Sequence, residues 1–335
     1  MLKDKGGINV ADEEIKSQQE LFASDILGKN MNEDTTLQND KLVLMDAPEV
    51  KEYSLEEVIN KVILGDALKV LKKLPEESVD MVFMDPPYFL QLPNKKLRRW
   101  TVKTEVDAVN DDWDKFGSFE EYDNFIKNVL TEIKRVMKPN ATVWVIATYH
   151  SVFRIGKIMQ DLGYWILNDV HWVKTNPMPN WLGVRFTNAT ETLIWAVKDK
   201  KAKKYSFNKE WAKEFGIGKV GANVWVLSIC NGKERLKDES GKKLHSTQKP
   251  IELLKRVILT STTEGDIVLD PVAGVGTTGY VARALNRNFI MSEINPKYVE
   301  GIKKRFEQPL KISLKNTKRN QRKIMEYMDL EEMKE

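Results

Sequence analysis

The sequence predicts an α/β protein built on a doubly wound, mainly parallel sheet. Three observations point there. Apolar runs of strand length alternate with amphipathic helical stretches along the 335 residues, the order that winds a parallel sheet with helices on both faces. Two of those runs, "VDMVFM" (79–84) and "IVLD" (267–270), pass directly into turns rich in proline or glycine. Such turns lie at the carboxyl ends of strands, where open α/β sheets bind ligands. The second turn spaces Gly274, Gly276 and Gly279 as G-x-G-x-x-G at the start of a helix, the pattern of a nucleotide-binding loop.

The elements follow in chain order. Residues 1–53 read as an acidic, weakly periodic extension in which "ADEEIKSQQELFASDIL" (11–27) has the pattern of one amphipathic helix. The folded body begins at Ser54, where "SLEE" forms a capping box. "KVILGDALKVLKKL" (61–74) gives a strand, a turn at Gly65-Asp66 and a short helix. A second capping box, Ser118 to Glu121, starts a helix that spaces Tyr122, Ile126, Val129, Ile133 and Met137 on one face and is stopped by Pro139. "ATVWVIAT" (141–148) is a strand, and 150–163 is a helix ended by Gly163. "WILNDVHWVK" (165–174), "ETLIWAVK" (191–198) and Phe289–Ser292 are further strands, and 309–335 is a charged tail.

Composition narrows the function. The longest apolar runs fall short of the 18 residues of a membrane span and the N-terminus is acidic, so a soluble, unexported, cytoplasmic protein is expected. The single cysteine, Cys230, excludes an internal disulfide and reads as a small buried apolar residue. With histidines dispersed at 150, 171 and 245, a Cys/His zinc cluster is not expected, and no metal is assigned. The net charge of +4 hides an asymmetry: residues 1–57 carry 14 acids and 6 bases, so the remainder is near +12. A basic body is consistent with a nucleic-acid partner.

Asp270 decides what the glycine loop holds. It closes an apolar strand at the mouth of the loop, where a carboxylate repels a pyrophosphate and attracts a cation such as the ammonium and sulfonium of S-adenosylmethionine (SAM). Glu293 ends the next strand, 19 residues beyond Gly274, from where an acid reaches both ribose hydroxyls. SAM and NAD share that ribose, so Asp270 is the discriminating residue and an NAD-dependent oxidoreductase is disfavoured. Only 56 residues follow Gly279, so if the nucleotide fold is complete its other half is expected to precede the loop.

The turn Asp85-Pro86-Pro87-Tyr88 carries the reactive chemistry. An exocyclic amine on adenine or cytosine is a poor nucleophile because its lone pair is delocalised into the ring. Acceptors that hold its two N–H bonds favour a tetrahedral, reactive nitrogen. Asp85 supplies one acceptor and the Pro86 carbonyl the other, while successive prolines fix φ and remove amide donors. Tyr88 stacks on a base swung out of its duplex.

"LGD" (64–66), "DPPY" (85–88), "HSTQKP" (245–250) and "LDPVAGVGTTG" (269–279), in this order, resemble the β-class SAM-dependent DNA amino-methyltransferases. "VDAVNDDWDKF" (106–116), "RVMKPNATVWVIATYH" (135–150), "NPMPNWLGVRFTNATETLIWA" (176–196) and "GKERLK" (232–237) bring the chain nearest to the GANTC-type adenine-N6 enzymes. The resemblance runs from about residue 58 to 308 and implies a circularly permuted fold of the SAM-dependent methyltransferase type. The methyltransferase domain is then 54–308, with a catalytic half at 54–198, a target-recognition and linking region at 176–244, and a cofactor half at 245–308. The first-position Asp85 implies adenine N6 as the target; cytosine N4 is the alternative. The resemblance also implies that Asp66 accepts from the cofactor's adenine amino group and that Glu293 binds the ribose. Asp270, Pro271, Ala273, Gly274, Gly276, Thr277 and Thr278 cradle the methionine part, and Thr247, Gln248 and Lys249 close over its carboxylate. The chain departs from the family pattern at Phe89, Ser246, Val272 and Val275.

Duplex DNA is the implied partner, with a cognate restriction endonuclease and a second copy of the chain as further candidates. The basic loop "NKKLRRW" (94–100) offers Lys95, Lys96, Arg98 and Arg99 to phosphates. Arg185 is a candidate for a guanine edge, and Trp113 either fills the gap left by a flipped base or is a core aromatic. A DNA-binding module without activity is the third alternative, which the intact DPPY disfavours.

Overall fold

The structure, a computed structural model, describes residues 42–47, 49–90, 97–98, 105–106, 114–180, 183–216, 221–308 and 312. The helix expected over 11–27 and the tail from 313 lie outside them.

The main sheet contains β1 (Val43–Met45), β2 (Lys61–Leu64), β3 (Val79–Met84), β6 (Met137–Ala147), β7 (Trp165–Lys174), β8 (Thr190–Val197), β9 (Val224–Leu227), β10 (Ile267–Asp270) and β11 (Asn288–Glu293). Its order is β1-β2-β11-β10-β3-β6-β8-β7-β9. Every pair from β1 through β6 is parallel. β8 runs against both β6 and β7, and β9 returns parallel to β7. A separate two-stranded ribbon pairs β4 (Leu97–Arg98) with β5 (Glu105–Val106). The strand that carries the glycine loop thus follows the DPPY strand in the chain and lies beside it in the sheet.

Strand periodicity divides the core between two faces. On β3, Val82 and Met84 join one apolar cluster while Met81 and Phe83 join the other. The first face is covered by α1 (Leu55–Val58), α2 (Ala67–Lys73), α3 (Phe119–Val136) and α4 (Val152–Asp161). The second is covered by α6 (Ile251–Ser261), α7 (Thr277–Ala284) and α8 (Pro296–Glu307), with α5 (Lys209–Phe215) adding Phe215. Trp144 and Trp195 stack with centroids 5.1 Å apart inside this second layer.

Local signals act largely as their chemistry dictates. Ser54 and Glu57 form the reciprocal capping box. At the start of α3, Ser118 Oγ accepts from the Glu121 amide, but the Glu121 carboxylate accepts from Gly117 instead of closing the box on Ser118. The α3 helix ends at Val136, earlier than Pro139. Proline disfavours a helical residue before it, so Lys138 is already extended and Pro139 lies inside β6.

The boundary at Ser54 needs correcting. Leu42 and Tyr53 are buried, and β1 extends the sheet at its edge, so the folded body takes in residues N-terminal to Ser54, from Leu42 onward among the described residues. A three-residue strand carries no periodicity of its own; only its pairing with β2 reveals it.

Candidate active site

The adjacent parallel strands β2, β11, β10 and β3 each deliver an acid to the carboxyl edge. In order across the sheet these are Asp66, Glu293, Asp270 and Asp85. All four line one cavity of about 310 Å³, together with Pro86, Pro87, Tyr88, Thr247, Gln248 and Lys249. The glycine loop contributes Pro271, Ala273, Gly274, Thr277 and Thr278 to the same wall.

The loop is held by those acids. The Gly274 amide donates to Glu293 Oε2 at 2.7 Å, and the Asn295 amide donates to Oε1 at 2.8 Å. Asp270 accepts from the Val272 amide at 3.1 Å and from Thr278 Oγ1 at 2.5 Å. Burial, only partly offset by these bonds, pushes both carboxyls up to about 7. Gly274 and Gly276 have φ of +54° and +70°, and a Cβ on Gly276 would stand 2.8 Å from the Ile302 side chain. Gly276 is therefore fixed by backbone conformation and by packing together. Gly279 sits in α7, where a Cβ would collide with Met291 of β11. Thr277 Oγ1 accepts from Arg305, a buried guanidinium on α8.

The DPPY turn has its own supports. Asp85 Oδ1 accepts from the Tyr88 hydroxyl at 2.7 Å and Oδ2 from the Lys249 ammonium at 2.6 Å. Burial opposes the Lys249 charge, yet Asp85 and Glu191 outweigh it and hold its pKa above the ordinary value. Glu191 pairs with Lys174 at 2.7 Å and lies 3.3 Å from the Tyr88 hydroxyl, which places β8 against the site. Tyr122 Oη donates to the Pro87 carbonyl at 2.9 Å.

Asp114 does the most to shape the turn. Its buried carboxylate accepts from three successive amides, Tyr88, Phe89 and Leu90, at 2.6, 2.7 and 2.9 Å. Phe89 is left-handed at φ +51°, and its ring packs on Phe116, Phe119 and Tyr122. The departure from the family pattern at residue 89 is thus an aromatic anchor for the turn. Sequence reasoning misses Asp114 because the neighbouring Trp113 is the more conspicuous residue. The available signal is a third acid in "DDWD" shortly before the spaced aromatics Phe116, Phe119 and Tyr122.

The 247–249 segment divides its work. Both ends of the Gln248 amide are engaged by backbone, accepting from Leu236 and donating to Glu234. The Thr247 amide donates to His245 Nδ1 at 3.2 Å. Burial, with Lys249 and Arg235 nearby, pushes His245 down to about 3, so a neutral imidazole lines the cavity. Lys249, expected at the methionine carboxylate, is placed against Asp85.

Among the expected DNA contacts, Arg185 donates to the Tyr149 hydroxyl at 2.7 Å in the exposed loop between β7 and β8. Lys95, Lys96, Arg99 and Trp113 lie outside the described residues; Arg98 belongs to β4, whose side chains are not described.

A family model described as DNA methylase matches residues 79–304. The Type II methyltransferase M.HinfI of Haemophilus influenzae is 49% identical over 255 residues, covering 76% of this chain and 70% of that protein. The Type II methyltransferase M2.DpnII of Streptococcus pneumoniae is 42% identical over 250 residues, covering 74% and 90%. Among solved structures, the M1.HpyAVI–SAM complex superposes with a TM-score of 0.54 at 26% identity, covering 74% of this chain and 98% of that one. The cytosine-N4-specific PvuII DNA methyltransferase reaches 0.57 at 20% identity, covering 79% and 90%, a likeness of fold.

Proposed function

The chain belongs to the DNA methylase family, and we propose that it transfers a methyl group from SAM to the exocyclic N6 of adenine in duplex DNA, with the target base flipped out of the helix. The observation that carries this reading is the order of the four acids along one cavity. Asp66, Glu293, Asp270 and Asp85 match, in sequence, an adenine amino group, a ribose diol, a cationic amino acid and a target amine. The residues suit the cofactor chemically. Buried carboxylates favour a cation and hydroxyl donors over a pyrophosphate, and Gly274 lines the cavity with backbone alone. When bound, SAM supplies an electrophilic methyl group on a sulfonium.

The protein's own groups supply the rest. Asp85 and the Pro86 carbonyl accept the two N–H bonds of the target amine and restore its lone pair. The Tyr88 ring, lining the cavity, stacks on the flipped base and is steadied through its hydroxyl by Asp85 and Glu191. Asp114 fixes the turn that aims all three. The first-position aspartate favours adenine N6 over cytosine N4, as the GANTC-type resemblance implies.

The Type II designation of both curated relatives supports a restriction endonuclease of the same site as the companion activity. A homodimer rests on the resemblance alone. Among the described residues no helix is long and apolar enough to cross a membrane, and action on DNA in the cytoplasm fits that. The test is to sequence genomic DNA for methylated bases in cells with and without the gene, alongside purified protein, SAM and duplex DNA. N6-methyladenine at one motif, present only with the gene, is the expected result; N4-methylcytosine, or no methylated base in either assay, would overturn the proposal.

A further inference from the structure

Residues 42–53 were expected to lie outside the functional body, yet they grip the corner of the sheet that bears Asp66. The β1 strand aligns Met45 with Leu64, and the Asp46 amide donates to the Leu64 carbonyl at 3.2 Å, directly before Gly65-Asp66. Beyond Asp66, the helix it caps ends at Lys73. Asp46 Oδ1 accepts from Lys73 Nζ at 2.5 Å and from Tyr53 Oη at 2.7 Å, and Lys73 Nζ also donates to the Ala47 carbonyl at 3.0 Å. The Tyr53 amide closes the ring by donating to the Lys73 carbonyl at 2.8 Å. Asp46 packs so closely that a Cβ on Gly65 would stand 2.7 Å from its Cβ. Asp46 is largely buried, and so is Tyr53.

These bonds tie both ends of the segment that runs from Leu64 through the Gly65-Asp66 turn and α2 to Lys73. Leu64 lies two residues before Asp66 and Lys73 ends the helix that Asp66 caps, so the Asp46–Tyr53–Lys73 cluster holds the Asp66 turn and α2 as one unit against the end of β2. We propose that residues 42–53 form a clip, with Asp46 as its positioning residue, that holds Asp66 where it meets the adenine end of SAM. The inference rests on the reading of Asp66 as the contact to the cofactor's adenine. Among the described residues, the hydrogen bonds of Asp46, Tyr53 and Lys73 run to one another, to Ala47 and to Leu64, and not to DPPY or the glycine loop. Its effect should therefore appear in cofactor affinity and spare DNA affinity.

The test uses the full chain carrying Asp46→Ala, Asp66→Ala, or Tyr53→Phe as a milder variant that removes one hydroxyl bond, and each of the two clip variants combined with Asp66→Ala. SAM affinity is measured by calorimetry, duplex-DNA affinity by fluorescence anisotropy, and folding by thermal melting. Asp46→Ala should weaken SAM binding about fivefold or more, leave DNA binding unchanged, and have little further effect once Asp66 is alanine, because residues coupled through a shared backbone shift are not additive. Tyr53→Phe should show the same dependence on Asp66 at smaller size and carries the test if Asp46→Ala fails to fold. Full additivity of either clip variant with Asp66→Ala would overturn the clip, as would an unchanged SAM affinity in both clip variants while Asp66→Ala weakens it. Unaltered SAM affinity in Asp66→Ala would instead overturn the reading of Asp66 on which the clip depends.

Discussion

Asp85 meets two demands at once: it must accept a target amine, and it already accepts from Tyr88 and Lys249. An ionised carboxylate offers about four lone-pair sites, so the two demands are compatible. Asp85→Ala is expected to abolish methyl transfer and leave DNA binding nearly intact, because phosphate contacts supply most of the affinity. Asp85→Asn keeps one acceptor oxygen and should lose most activity instead of all. Single-turnover assays with binding controls check both, and substantial turnover by Asp85→Ala would remove the residue from the chemistry. Asp114 works at one remove, through three amides of the turn. Asp114→Asn replaces one acceptor oxygen with a donor facing an amide. With about 1.5–3 kcal/mol at stake for a bond to a charged group, kcat is expected to drop roughly tenfold or more while SAM affinity holds. A kcat equal to the parent's would show that the turn keeps its shape without it.

At the scale of elements, the loop between β10 and α7 is held by conformation and packing together. Gly276 has φ +70°, and the Ile302 side chain lies where a Cβ would go. Gly276→Ala should therefore cost about 1–2 kcal/mol from the left-handed backbone alone, and more as Ile302 is displaced. Denaturant melts would register that loss, and SAM titration should show weaker binding; a variant as stable as the parent would mean the loop relaxes freely. The basic loop 94–100 is the element assigned to phosphates from sequence. Lys95→Ala combined with Arg99→Ala should weaken duplex binding and reduce its salt slope by roughly 0.9 for each phosphate no longer neutralised, with turnover recovered at saturating DNA. An unchanged slope would show that these cations stand clear of the backbone.

For the molecule as a whole, the buried acids link cofactor, pH and stability. The Asp270 carboxyl rises from 3.8 and the Glu293 carboxyl from 4.5, each to about 7. Between those limits the folded protein holds protons that the unfolded chain has released. The contribution of both groups is then fully present at low pH and is lost as pH rises through about 7. SAM needs the ionised forms, so its affinity should strengthen over the same window. Thermal melts of ligand-free protein from about pH 5 to about pH 8 should show this decline, and Asp270→Asn should make it shallower, leaving the part due to Glu293. Matching pH profiles in parent and variant, for melting and for SAM titration, would show that Asp270 does not titrate there.

Much of this was legible because its causes are local. The G-x-G-x-x-G spacing, the acids that close apolar strands and the Pro-Pro turn are dictated by backbone conformation and by neighbours a few residues away. The sequence by itself therefore determined the alternating α/β order, the residues of the carboxyl edge and the chemistry of a methyl transfer. Tertiary structure alone decided the rest, because it brings together groups too far apart in the chain for any pattern to connect. It set Asp66, Glu293, Asp270 and Asp85 in one row, although they come from opposite ends of the sequence. It placed Lys249 on Asp85, 164 residues away, and Asp114 on the amides of the turn. It also turned a three-residue apolar stretch into the edge strand β1, since a strand that short exists only through the hydrogen bonds of its partner.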